Sequence, residues 1–260
     1  MFKKHPSCLG GDMQREKNGN NLNVQEDHTH KAYQGIRRLL YYKELVPGQK
    51  IPYRELSERL NMSPTPIIQA LKWLEIEGFV LHRPNRGYYM TPFSLQEVEE
   101  IYELRQIVEP SLLPVTIKRL DKKGIKRLKA SLDAHLSAER EFYLKERLFK
   151  NTEFHLTLAS LSGRQTQIRV LRHVFDLLLL KYGGNYMPIE SMDAMDKDHQ
   201  KTFECAISGD IKGARAALSK HICNVKKQVL KGFRQVLEEK EGSLYESRAE
   251  RFGVRMDLTG

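Results

Sequence analysis

Between Arg54 and Met90 the chain sets helix, turn and strand signals in an order that few folds accommodate. Tyr53 to Leu60 reads as a short helix, and Met62-Ser63 supplies a turn. Ser63 is suited to cap the helix that follows. Pro64 fits its first position, and Pro66 still falls in the first turn, where a missing amide breaks no ladder bond. Ile67, Ala70, Leu71 and Leu74 then recur at helical spacing. Phe79-Val80-Leu81-His82 and Tyr88-Tyr89-Met90 flank the basic turn Arg83-Pro84-Asn85-Arg86-Gly87 and read as two short strands. Helix, turn, amphipathic helix and basic hairpin in this order predict a winged helix–turn–helix, which lays one helix in the major groove of DNA.

Composition agrees with that direction. The formal charge is +10 and the pI about 9.4 over 260 residues, with 40% hydrophobic content. Such a balance favours a polyanionic partner and packed cores without specifying either. From Lys31 to Pro92 ten Lys or Arg face five Asp or Glu, a local charge of +5 that favours phosphate through counterion release. Cys8, Cys205 and Cys223 lack close metal-ligand spacing, so buried thiols are expected rather than a disulfide framework. The opening Met1-Phe2-Lys3-Lys4-His5-Pro6 has no apolar segment of signal-peptide type. Leu177-Leu178-Leu179-Leu180 is too short to span a bilayer. A soluble, cytoplasmic protein without membrane association is expected.

The chain divides into residues 1–27, a polar and flexible tail; 28–92, the winged head; 93–237, a helical domain; and 238–260, a C-terminal extension that either lengthens the last helix or frays. A first helix is expected over Lys31 to Tyr42, its apolar face made by Ile36, Leu39 and Leu40. Ser94-Leu95-Gln96-Glu97 is a capping-box pattern opening a helix with Val98, Ile101, Leu104 and Ile107 on its apolar face. Further helices are expected over 121–138, 141–161, 164–184, 196–207 and 210–237, interrupted at Gly163, Asn185–Pro188 and Ser208-Gly209-Asp210. The class is mainly α: a winged helix–turn–helix with a small β-wing, followed by an all-helical bundle.

On the second helix of the motif, which opens at Ser63, the residues Thr65, Ile68, Gln69 and Lys72 are candidates for the DNA-facing side. Gln69 suits adenine and Ile68 a thymine methyl, while Thr65 suits a base or a phosphate. Arg54 suits a phosphate or a base edge, and Arg83 and Arg86 suit the minor groove or the backbone. In the helical half, Asn151 and His155 are four residues apart and share a helix face. His199 and His221 fall on later helices, and spacing alone does not decide between a metal site and dispersed packing residues.

These residues together resemble the GntR family of bacterial transcription regulators, in the FadR-like branch that carries an FCD effector domain. The resemblance rests on Arg54-Glu55-Leu56-Ser57-Glu58-Arg59-Leu60, Ser63, Thr65-Pro66, Ala70-Leu71, Leu74, Glu77-Gly78 and Arg83–Gly87. It continues through Glu100-Ile101-Tyr102-Glu103-Leu104-Arg105 and Glu109. It implies a homodimer on a palindromic double-stranded operator, released or repositioned by a small carboxylate effector. The family's divalent-metal pattern, an Asp with a His four residues later and then two His, falls here on Asn151, His155, His199 and His221, and Zn or Ni suits three imidazoles. It also implies an effector-binding role for Arg105, which could instead pair with Glu109 one turn on.

The chain departs from the family at Pro64 and Ile68, where arginine or another basic residue is common, and at Gln69, where glutamate is usual. Each good bidentate base contact is worth about 1–3 kcal/mol, so altered operator specificity is expected. Asn151 offers a neutral oxygen in place of a carboxylate, which favours an anionic effector completing the coordination. A metal-dependent enzyme built on His155, His199 and His221, or a DNA-independent sensor with a degenerated head, are the competing readings. The enzyme reading finds no persuasive general base beside those ligands.

Overall fold

Helical periodicity accounts for most of the chain in the computed structural model. It describes residues 15–138, 144–183 and 192–251, with side chains over 28–138, 146–183 and 193–235. The contacts divide the chain into two units, Met1–Pro92 and Phe93–Gly260.

In the first unit α1 runs Arg15–Tyr41, α2 Tyr53–Arg59 and α3 Pro64–Ile76; the strands β1 (Val80–Arg83) and β2 (Gly87–Met90) complete it. The expected start of α1 at Lys31 is corrected: residues 15–27, read as part of a tail, continue the helix. Extending a formed helix adds a hydrogen bond for each residue ordered, and no proline between Pro6 and Pro47 interrupts it. Residues 1–14, with Cys8, and 252–260 lie outside the described residues, as does the expected break at Asn185–Pro188.

Ile36, Leu39 and Leu40 of α1 are buried with Ile67, Ala70, Leu71 and Leu74 of α3, as the spacing predicts. The crossing is close near Leu60, whose Cδ2 would lie 3.0 Å from a Cβ placed on Gly35. Tyr33 adds a polar clamp, its hydroxyl 2.8 Å from the Glu77 carboxylate. Gly78, at φ 82, ends α3. Its N–H donates to the Glu75 carbonyl and that of Phe79 to the Leu74 carbonyl, the paired closure of a Schellman turn. β1 and β2 pair antiparallel with Val80 opposite Met90 and Arg83 opposite Gly87. Between them Pro84 and Asn85 form the turn, Asn85 taking φ 61 and the Arg86 N–H donating to the Arg83 carbonyl at 3.0 Å. The segment before α2 backs the wing, since the Ile51 N–H donates to the Tyr88 carbonyl and the Met90 N–H to the Gln49 carbonyl.

The second unit contains α4 (Leu95–Arg119), α5 (Lys122–Leu136), α6 (Leu144–Ser160), α7 (Gln165–Asp176), a π-helical turn (Leu177–Tyr182), α8 (Met192–Ile207) and α9 (Ile211–Arg251). Helix α4 packs along α9 and also meets α6, α7 and α8, while α5 packs on α6 and α8. One expected face is corrected here. The buried stripe of α4 is Val98, Ile101, Tyr102, Arg105, Glu109, Leu112, Leu113 and Thr116, whereas Leu104 is half-buried and Ile107 is 70% exposed. A paired arginine and glutamate take the central inward positions that apolar periodicity alone assigned elsewhere. Leu177–Leu180 are all buried, and among the described residues no helix is long and apolar enough to cross a membrane. Cys205 is buried and Cys223 half-buried, both as free thiols.

The two expected caps differ. Ser94 Oγ accepts from the Glu97 N–H at 3.1 Å. Glu97 does not reach back to close the box; its carboxylate instead takes Lys181 and Tyr182. Ser63 sits at the N-cap of α3 with extended backbone but makes no side-chain cap bond. The N3 residue there is Pro66, which has no N–H to donate. Ser94→Ala is therefore expected to cost about 1 kcal/mol in urea unfolding, and Ser63→Ala less than about 0.5 kcal/mol. Equal losses would refute the difference.

Candidate functional site

On the head, Thr65 and Lys72 of α3 are exposed, and Ile68 and Gln69 are half-buried. Gln69 is turned partly inward, its Oε1 accepting from Thr29 Oγ1 on α1 at 2.6 Å. Arg54, at the start of α2, lies exposed beside Ser63 and Pro64, with which it lines an open depression at the mouth of α3. Arg83 and Arg86 are exposed on the wing; the Arg83 guanidinium stacks over the Tyr89 ring at 4.7 Å. Arg37 and Arg59 of the same unit lie against Glu77 and Glu44. Arg54, Lys72, Arg83 and Arg86 have no ion-pair partner among the described residues.

The helical unit gathers its polar residues in the interior. Four helices contribute: α4 gives Arg105 and Glu109, α6 gives His155, α8 gives His199 and α9 gives His221, each between 1% and 4% exposed. Arg105 Nε donates to Glu109 Oε1 at 2.7 Å, and its guanidinium lies 5.1 Å from the Tyr102 ring centre and 4.4 Å from that of Phe175. The other Glu109 oxygen is 2.6 Å from His155 Nδ1. A carboxylate only accepts, so that nitrogen carries the proton and His155 Nε2 keeps its lone pair. Nε2 faces His199 Nε2 at 3.2 Å, with an Arg105 Nη 3.4 Å away. The His199 and His221 rings are 4.1 Å apart, and the Nδ1 of each is buried without a hydrogen-bond partner.

Electrostatics keeps these rings neutral. Burial drives His199 and His221 well below the usual imidazole value, and the positive groups around them push the same way. Burial also lowers His155, partly opposed by Glu109. For Glu109 burial alone would raise the carboxyl, but His155 and Arg105 outweigh it and hold it at about 2. Neutral imidazole is the form that binds metal. His155, His199 and His221 bring one ligand atom each within 4.8 Å of one another. Nitrogens on a tetrahedral ion with bonds of 2.0–2.1 Å stand roughly 3.3 Å apart, close to the His155–His199 separation, and Glu109 holds His155 as an outer carboxylate holds a metal-bound histidine. The donor set fits a divalent ion.

The fourth expected ligand, Asn151, is half-buried one turn before His155. Arg164, at the N-cap of α7, and Arg172 within that helix are both exposed. Sequence reasoning passed over His135, Asp196 and Arg147. His135 is the third member of a buried stripe with Leu128 and Leu132 on α5, and Asp196 is one turn before His199 on α8. Arg147 Nη2 pairs with Asp196 Oδ1. A histidine on an otherwise apolar helix face was the available signal.

A crevice beside the nest is lined by Glu109, Leu112, Leu113, Thr116, His155, Leu158, Ala159 and Leu218 and is too narrow for a water molecule. A ligand reaching Arg105 from that side must part these residues.

Comparison with known proteins agrees with both halves. The family described as "Bacterial regulatory proteins, gntR family" matches residues 28–90, and the FCD domain family matches residues 100–224. The chain is 24% identical over 211 residues to the HTH-type transcriptional regulator LutR of Bacillus subtilis, covering 73% of this chain and 95% of that one. It is 22% identical over 221 residues to the HTH-type transcriptional repressor RspR of Escherichia coli, covering 84% and 94%. Among solved structures, a putative GntR regulator from Rhodococcus sp. RHA1 superposes with a TM-score of 0.68 at 18% identity, covering 79% of this chain and 98% of that one. E. coli McbR/YncC gives 0.67 at 17% identity, covering 80% and 98%. These domains and relatives are transcriptional regulators rather than enzymes. The chain belongs to the GntR family of bacterial transcriptional regulators, with an N-terminal DNA-binding head and a C-terminal FCD effector domain.

Proposed function

We propose that this regulator binds a palindromic operator as a homodimer and responds to a small carboxylate through a metal centre in its helical unit. The observation that carries the reading is the nest of three buried, neutral imidazoles with an arginine 3.4 Å from one of them. His155, His199 and His221 would hold a divalent ion of the Zn or Ni class, and Asn151 offers at most a neutral oxygen to it. The ion would supply a Lewis-acidic point for an organic anion. Arg105 would take the anion's carboxylate, which must compete with Glu109 for the guanidinium. Loss of the Arg105–Glu109 pair gives the anion a differential affinity for two arrangements of α4, which any ligand response requires.

On the head, Arg54, Lys72, Arg83 and Arg86 supply phosphate or groove contacts. Thr65, Ile68 and the amide of Gln69 supply base contacts, with Ser63 at the helix start. Pro64 and Ile68 remove two basic groups from that surface, so readout shifts away from guanine. Action on chromosomal DNA places the protein in the cytoplasm. The 70% exposed Ile107 on α4 is apolar surface consistent with self-association.

Genomic fragments selected with purified protein should share a two-fold site, and hydroxy-acid, sugar-acid or dicarboxylate additions should change its occupancy. Fragments without a recurring two-fold site, or occupancy indifferent to every acid, would refute the mechanism. Arg86→Ala or Arg54→Ala should weaken binding across sequences and reduce the slope of log K against log salt by about 0.9 per subunit, about 1.8 for the dimer; an unchanged slope removes that residue from the phosphate contacts.

The metal-free protein should show a definite pH response. Free imidazole titrates near 6.5, and the folded values of His155, His199 and His221 lie lower. Below 6.5 the unfolded chain therefore binds more protons than the folded one. Stability from the neutral rings is complete above 6.5 and is lost as pH falls through it, whereas the Glu109 share persists until pH falls from 4.5 toward about 2. Thermal unfolding of chelator-treated protein should shift down as pH drops below 6.5. A flat midpoint there would mean the rings are not held neutral.

A further inference from the structure

His135 raises a question that the three-histidine centre leaves unanswered. It is 3% exposed at the end of α5, and both ring nitrogens are without a hydrogen-bond partner among the described residues. A buried polar atom left unsatisfied destabilises the fold. Its Nε2 is 3.2 Å from Asp196 Oδ1. Its ring meets that of His199 edge-on, centres 4.6 Å apart and planes at 86°. His135, Asp196 and His199 again bring one ligand atom each within 4.8 Å of one another. Two compact donor sets thus share His199.

Only the second set contains a carboxylate. Asp196 is 6% exposed, and Arg147 grips its Oδ1, which fixes how the group is presented. The charges argue the same way. Arg105 is matched by Glu109 and Arg147 by Asp196, so a divalent ion on three neutral imidazoles would bury two further positive charges. Asp196 adds no net charge, since it already balances Arg147, but a carboxylate in direct contact with an ion attracts it more strongly than a neutral amide such as Asn151 does.

We propose that Asp196, positioned by Arg147 and assisted by His135, is the anionic ligand of this protein's metal centre, in the role that Asn151 does not fill. The ion is then bound by donors drawn from both sets around the shared His199, with α5 and α8 joined to α6 and α9 in one coordination unit. This rests on the reading of His155, His199 and His221 as a metal centre, and one variant tests that reading separately.

The full chain is stripped with chelator and titrated with Zn²⁺ against a competing indicator, and with Co²⁺ while its visible absorption is followed. Wild type, Asp196→Asn, His135→Gln, Asn151→Ala and His221→Gln are compared. Asp196→Asn should weaken Zn²⁺ by tenfold or more and change the Co²⁺ bands. His135→Gln, which leaves the Arg147–Asp196 pair in place, should weaken it about tenfold. Asn151→Ala should remain within about twofold of wild type, well under the effect of losing a supporting contact. Wild-type affinity in His135→Gln, or Asp196→Asn folded with unchanged affinity and Co²⁺ bands, overturns the proposal, as does a loss confined to Asn151→Ala. If Asp196→Asn fails to fold, His135→Gln alone decides. An absence of tight binding in wild type, or its persistence in His221→Gln, instead refutes the three-histidine reading.

Discussion

A buried arginine governs the helical half of this protein. Arg105 is 1% exposed on α4, and a guanidinium stays charged at any pH a protein encounters, so the interior must neutralise it in place. Glu109, one turn later, does so and at the same time takes the proton-bearing nitrogen of His155. Three residues from two helices thereby set one another's orientation. The His155 lone pair is left directed at His199, and the chemistry of the nest follows from that direction.

The same constraint shapes the packing. Helix α4 carries an inward stripe that is apolar at both ends and polar in the middle, and it lies against α9 with α6, α7 and α8 near it. An arrangement of this kind cannot slide, because a shift along α4 would separate Arg105 from Glu109's second partner and from the Phe175 ring. Specificity of register is a recognised consequence of buried polar groups, and here the register also sets His155 Nε2 opposite His199 Nε2.

The head depends on a different balance. Its core is the ordinary one of three packed helices, with Ile36, Leu40, Ile67, Leu71 and Leu74 excluded from solvent. The outward residues decide recognition. Pro64 suits the start of α3, whereas Pro66, with no N–H at the third helical position, leaves Ser63 without a capping bond, and Gln69 is committed in part to Thr29 on α1. Both features reduce the polar groups that α3 presents outward, and among the described residues the exposed arginines at 54, 83 and 86 have no ion-pair partner.

The sequence by itself determined the elements: the helix–turn–helix order, the wing around Pro84-Asn85, the Ser94 cap and the helical class expected of 93–237 are local properties of spacing, capping and turn chemistry. It also pointed to His155, His199 and His221, through family resemblance rather than spacing. What it could not supply was any relation between residues far apart in the chain that touch only after folding. Tertiary structure decided that Arg105 and not Ile107 faces inward on α4, that Glu109 holds His155, and that His135 and Asp196 stand beside His199. The reason is physical. Helical periodicity ranks positions by hydrophobicity, so it reads a buried charge as exposed unless the partners from other helices that neutralise it are already in view.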